Sequence, residues 1–410
     1  MIILFKKNLT YIIFTLPLLI DTLNGVLRGS DGSDDSLAGI LFKGLIILYS
    51  IIFTHSLKSK YIGRLLILGF ICFVIQFILG VFNFSIVTSY IKSIYAFFVL
   101  YILIKSPWCK DEFTVYNAAI FYGTGASVVL LCSYFWGWGY TSYVSDSSFG
   151  VKGFFIAMND VCLSILLLNC LSLLCYQVTK DKHYVIYSIL MSIGNIMTGS
   201  MAGVIGTCIV LLLYFSSVFF FPISNYKCSK SEKVIILVSL FFVLFYVGTR
   251  VIEVLMADAY LASKYDDLLA TFTEMSGRRF LMDASSNVLR GRSIIYDLVG
   301  QGEHYLYAVS MALGMGKGLK GAEVDLYDLV GVYGIFLAIL IIYYPIKIAV
   351  KSFRYYLRGK KSEHYWVLFA SLIFIGHSFY GGHAFTSPTA YSYYVPFMFL
   401  MIKRRYLIFK

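Results

Sequence analysis

Runs of about twenty apolar residues recur along nearly the whole chain, and in lipid a run of that length closes all its backbone hydrogen bonds only as a helix. They lie near 9–27, 37–57, 61–82, 85–105, 113–136, 154–178, 183–199, 201–221, 232–250, 326–350, 364–382 and 388–402. About twelve such runs predict an all-α polytopic membrane protein, and an even number returns both termini to one side. Composition agrees: 59% of the residues are hydrophobic and only 14% charged, where a soluble domain carries roughly a quarter. The first run follows Lys6 and Lys7 as a signal peptide would, but it contains Asp21 and Asn24 and ends in no small-residue cleavage site. It reads as a retained first span.

The net charge of +12 over 410 residues could suggest nucleic acid. The basic residues instead fall in short clusters between the apolar runs: Lys58, Lys60 and Arg64; Lys105 and Lys110; Lys180 and Lys182; Lys227, Lys230 and Lys233; Lys347 to Lys361; Lys403 to Lys410. These clusters mark the cytoplasmic face, so both termini are expected there and no nucleic-acid partner is. The alternate loops, GSDGSDDS, FNFS, GWGYTSYVSDSSFG and GGHAFTSP, are acidic or neutral. The predicted organisation is a bundle of about nine helices over 1–250, an extracytoplasmic loop over 251–325 with short helices of its own, and about three further helices over 326–410. None of the eight cysteines lies between Arg250 and Asp325 and no CxxC pair occurs, so neither disulfides nor a metal site is expected, and no cofactor is implied. The absence of a visible long repeat disfavours a secondary transporter.

Outside the cytoplasm there is no ATP or sugar nucleotide, so an enzyme there needs a substrate carrying its own activated bond. A lipid-linked pyrophosphate is the usual candidate. The polar stretch from Arg278 to Gly334 holds the groups such a substrate requires. Arg278, Arg279, Arg290 and Arg292 can grip a pyrophosphate through the parallel donors of the guanidinium fork. Lys43 and Lys92, inside apolar runs, are costly there without a use. The bland alternative is that such cations snorkel to lipid phosphates or pair with loop carboxylates. Glu323, Asp325 and Asp328 cluster where the loop re-enters the membrane. Either Glu323 or Asp325 could act as a general base, while helix capping alone would explain Asp325 or Asp328. Gly314 to Gly318 lacks the spacing of a phosphate-binding loop. His377 and His383 are expected to be structural or substrate-contacting. Asp21, Asn24, Asn159 and Asp160 could line a cavity, or satisfy one another or the two lysines.

Arg292, Tyr296, Gly314, Gly316, Glu323-Val324 and Gly334 fall in an order that resembles the Wzy-type polymerases of O-antigen and capsular polysaccharide, within the superfamily that includes the O-antigen ligases. Glu323 stands where the ligases carry a histidine, and Met201 in TGSMAG where relatives often carry an arginine. The resemblance implies a GT-C-type fold in a bacterial plasma membrane. It also implies glycosyltransferase activity joining undecaprenyl-pyrophosphate-linked glycan repeats, with inversion at the anomeric carbon. It implies the lipid bilayer as environment and leaves room for a chain-length regulator protein as partner. An O-antigen ligase and a lipid-linked oligosaccharide flippase stay open as alternatives.

Overall fold

The computed structural model describes residues 2–28, 37–106, 111–142, 150–221, 278–314 and 324–404, with a few isolated positions between 223 and 245. Most of the predicted span over 232–250, the first part of the predicted extracytoplasmic loop (251–277) and Glu323 lie outside the described residues. The helices before the large loop are α1 (Ile2–Arg28), α2 (Leu37–Thr54), α3 (Lys60–Ile78), α4 (Phe84–Lys105), α5 (Glu112–Trp136), α6 (Met158–Thr179), α7 (His183–Met197) and α8 (Met201–Phe219). After it come α9 (Arg278–Arg290), α10 (Ile294–Val299), α11 (Glu303–Ala312), α12 (Asp325–Tyr333), α13 (Ile335–Gly359), α14 (Ser362–Tyr380) and α15 (Pro388–Lys403). Seven of them are long and apolar enough to cross a membrane. The chain is an all-α polytopic membrane protein.

Helix α6 is the axis of the bundle. Beyond Asp160 in its first turn, its sequence is apolar on every face but for Ser, Thr, Asn and Gln, and it packs against α5, α7, α8, α14 and α15, as expected of a helix with no lipid-facing side. Lipid tails are as apolar as leucine, so the polar side chains rather than burial specify the neighbours. Asn169 donates to Ser192 Oγ at 2.9 Å and accepts from Ser188 at 2.6 Å, which fixes α7. Gln177 donates to Ser217 on α8 at 2.8 Å and accepts from the Trp366 indole on α14 at 3.0 Å. Each such bond is worth only about 0.6 kcal/mol in a membrane, but together they select one rotation of α6 about its axis.

Ion pairs and loop contacts mark the two ends of the bundle. At one end Arg404, following α15, reaches Glu112 at the start of α5 (3.0 Å) and Glu363 at the start of α14 (2.6 Å). At the other, the GWGYTSYVSDSSFG loop and the residues that follow it hold a feature absent from the sequence reading, a two-stranded antiparallel pair of β1 (Tyr140–Thr141) and β2 (Val151–Gly153). Tyr140 donates to the carbonyl of Gly25 at 3.1 Å and Ser142 to that of Thr198 at 2.7 Å, so the hairpin straps α1 and the α7–α8 turn. Helices α9 to α12 lie at this second end and pack on one another. Helix α10 rests on α3, α12 and α13, so this layer is joined to the bundle and not tethered to it.

Candidate functional site

Two glycines allow the layer of short helices to close on the bundle. Gly300, at φ 80°, ends α10, and Gly334, at φ 82°, separates α12 from α13. A Cβ on Gly300 would meet the Val332 carbonyl oxygen at 2.2 Å, and a Cβ on Gly334 would meet the Leu298 oxygen at 2.2 Å. Each glycine admits the other's backbone, in a region of φ that side chains avoid. The approach is then sealed by hydrogen bonds. Gln301 and Gly302 donate their amides to Gly331 and Val332 at 2.8 and 3.1 Å. Gln76 of α3 donates to the carbonyls of Val299 and Val332 at 2.6 and 3.0 Å, joining both sides of the seam from the bundle.

Arg292 belongs to the same seam. Its side chain is 2% exposed, its Nε donates to Asp297 at 2.7 Å, and its two terminal nitrogens approach the carbonyls of Gly331 and Val330 at 3.4 and 3.3 Å. The sequence places Arg292 with the pyrophosphate-binding arginines, whereas in the folded chain it is turned inward. Its fork ties the start of α10 to the last turn of α12, so it acts on the site by position. Arg290, by contrast, ends α9 exposed. Arg278 and Arg279 form the first turn of α9, and their side chains lie outside the described residues.

Asp325 opens α12 but does not cap it. Its residue is 1% exposed, and the carboxylate crosses to the loop between α14 and α15, accepting from the Phe385 amide and the Thr386 hydroxyl, each at 3.0 Å. Burial pushes its pKa above the ordinary carboxylate value, against the opposing pull of the Phe385 amide and of His383. His383 is exposed and sits at φ 60°, a conformation that costs a non-glycine residue about 1–3 kcal/mol and tends to persist at functional sites. A base at Asp325 itself would face protein, not substrate. The exposed ionisable group that Asp325 feels electrostatically is His383. Sequence spacing between His377 and His383 could not reveal this, because Asp325 arrives from another helix. Glu303 was also missed: it accepts from Asn83 and Ser85 and so fastens α11 to the start of α4.

Lys92 is half-buried within α4. Lys43 lines a small cleft between α1, α2, α4 and α15, together with Asp21, Asn24, Tyr95, Thr389 and Tyr393. Asp21 feels both Lys43 and Asp160 electrostatically. Thr389 stands in the first turn of α15, just past the loop that Asp325 holds. Among the described residues no group of three or more His, Cys, Asp or Glu side chains could hold a metal ion. No protein-family model matches the chain, and no curated protein matches it.

Proposed function

We propose that this protein is a membrane glycosyltransferase that joins undecaprenyl-pyrophosphate-linked glycan repeats at the outer face of a bacterial plasma membrane. The observation that carries the reading is the seam. Arg292 and Gly334, two members of the residue series that resembles the Wzy-type polymerases, lie far apart in sequence but meet at the two ends of one short contact between α10 and α12. The polar layer is thereby held against the membrane end of the bundle, where a lipid-linked headgroup would sit. The full reading includes twelve spans, both termini in the cytoplasm and a GT-C-type arrangement.

In the reaction, the acceptor hydroxyl attacks the anomeric carbon of the donor glycan and inverts it. The bond from that carbon to the pyrophosphate oxygen breaks, and undecaprenyl pyrophosphate leaves. The exposed Arg290, with Arg278 and Arg279 of the same helix as further candidates, stabilises the charge on the leaving group. The hydroxyl proton passes to a base, for which Glu323 and His383 are the available groups. The driving force is the donor's pyrophosphate linkage, so no nucleotide is consumed.

The test is the lipid-linked glycan in cells lacking the chain and in cells complemented with variants. Single repeats accumulating on the outer face, with long polymer restored by the wild type but not by Glu323→Gln or His383→Ala, is the expected result for at least one of the two. Accumulation on the inner face would mean a flippase and end the proposal.

A further inference from the structure

The second half of α13 carries two parallel stripes that the proposed reaction does not use. Ile346, Val350, Phe353 and Leu357 recur at the spacing of one helix face and are 43–59% exposed. One residue further on, Lys347, Lys351, Arg354 and Arg358 repeat that spacing, half-buried at the first two positions and exposed at the last two. A step of one residue turns a helix by about 100°, so the apolar and cationic stripes run side by side down roughly 16 Å of its axis. The opposite face is pinned. Tyr344, Ile348, Ser352 and Tyr356 are buried, Ser352 donates to Met401 Sδ of α15 at 3.6 Å, and the Tyr355 ring stacks on His364 of α14 at 5.3 Å. The stripes thus form a fixed surface at the bundle end that Arg404 marks, away from the seam.

The cations of this surface lack a counter-charge. Among the described residues none of the four pairs with a carboxylate: Arg404 takes Glu112 and Glu363, His183 takes Asp181, and Asp111 caps α5. The Lys347 ammonium stands over the rings of Tyr343 and Tyr344, 5.0 and 5.3 Å from their centroids, which positions it but leaves its charge in place. Like charges three and four residues apart work against a helix, and the helix dipole favours only those in the last turn. An anion therefore belongs along the strip. An acidic protein would cover the cations and leave the apolar stripe open, whereas a phospholipid brings phosphate and hydrocarbon together, as it does for basic amphipathic helices at a membrane surface. We propose that this strip binds anionic phospholipid, with headgroup phosphates on Lys347, Lys351, Arg354 and Arg358 and acyl chains along the four apolar residues. The binding rests on α13 and its neighbours alone. Calling the leaflet cytoplasmic rests on the topology included in the reading above.

The test uses the full chain in phosphatidylcholine nanodiscs with a small share of photoreactive lipid, either phosphatidylglycerol or phosphatidylcholine, each bearing a diazirine on one acyl chain. Labelled peptides are mapped by mass spectrometry. Phosphatidylglycerol should label 346–358 at least about tenfold more than phosphatidylcholine does. Each Lys or Arg beside an anionic leaflet contributes about fivefold in affinity, the equivalent of about 1 kcal/mol. Lys351→Gln should therefore lower the preference about fivefold, and Lys351→Gln, Arg354→Gln and Arg358→Gln together should remove it, while Arg354→Lys, which keeps the charge, should leave it. Glutamine suits a helix as well as lysine or arginine does, and melting in pure phosphatidylcholine nanodiscs checks that the variants are folded. The wild type supplies a second measurement: raising salt tenfold should shrink the preference without changing phosphatidylcholine labelling. Equal labelling by the two lipids would mean ordinary boundary lipid. Labelling elsewhere, a preference that survives in the folded triple variant, or one indifferent to salt would place the headgroup elsewhere. Displacement by excess glycerol 3-phosphate would reveal a site for a free anion, and displacement by poly-glutamate one for an acidic protein. Each of these overturns the proposal. A lipid preference in a chain that makes no polymer would tell against the glycosyltransferase reading alone, and normal polymer without the preference would tell against the strip alone.

Discussion

Replacing Asp325 probes whether one buried carboxylate holds the loop between α14 and α15 in place. In Asp325→Ala the Phe385 amide, buried and bonded only to this side chain among the described residues, loses its acceptor, and the Thr386 hydroxyl loses its own. Bonds to a charged group are worth about 1.5–3 kcal/mol each, and releasing the buried charge returns part of that, leaving a net loss of about 3 kcal/mol. Asp325→Asn keeps an acceptor for the amide, and the Thr386 hydroxyl can turn to accept from the new NH2, so the loss falls to about 1 kcal/mol. The assay is thermal unfolding in detergent followed with a thiol-reactive dye, because Cys162, Cys170 and Cys175 are each 0% exposed and report when the bundle opens. The alanine variant should melt about 5–10 °C lower and the asparagine variant only a few degrees lower. An alanine variant as stable as the wild type would show that Asp325 does not anchor the loop.

Acidity should separate these variants further. The folded pKa of Asp325 is raised by burial, so the part of the stability due to its titration is fully present below the ordinary carboxylate value near 3.9 and is lost as pH rises through the folded value. The melting gap between wild type and Asp325→Asn is therefore expected to be widest in acid and to narrow with rising pH; a gap that widens would reverse the sign. Gly300→Ala, which drives a Cβ into the Val332 carbonyl at 2.2 Å at φ 80°, should cost at least about 3 kcal/mol. Gly314→Ala, at φ 69° with nothing within 4 Å, should cost only about 1 kcal/mol, and equal losses in the two melts would dismiss the seam as a close contact. Arg292→Lys keeps a cation beside Asp297 but gives up the fork to the two carbonyls, so amide hydrogen exchange over 294–302 should speed up several-fold while the core of α6 stays protected.

Apolar run length carried most of the fold, because a membrane leaves a long apolar segment little choice but a helix. The run over 113–136 became α5 nearly residue for residue, and that over 154–178 became α6 from Met158 onward. What the periodicity could not show is which helices touch: that depends on single polar residues such as Asn169 and Gln177, each bonding to a partner chosen by the fold. The candidate site was legible as a stretch but not as a set of contacts. The cations of 278–292 and the carboxylates of 323–328 stood out by charge, yet charge does not say whether a side chain points out, as Arg290 does, or in, as Arg292 does. Gln76 gave a signal that could have been followed. A lone glutamine in the apolar run of α3 must find partners, and it found the seam. Asp21, Asn24 and Lys43 were recognisable as possible cavity residues, but Thr389 and Tyr393 join them only because α15 packs beside α1 and α4.

The most direct test of the central claim is reconstitution. Purified full-length protein in nanodiscs, given only lipid-linked single repeats, should yield a ladder of longer lipid-linked glycans with one undecaprenyl pyrophosphate released per new linkage and no nucleotide added. Repeats that remain single under these conditions, and in sealed vesicles merely exchange leaflets, would contradict it.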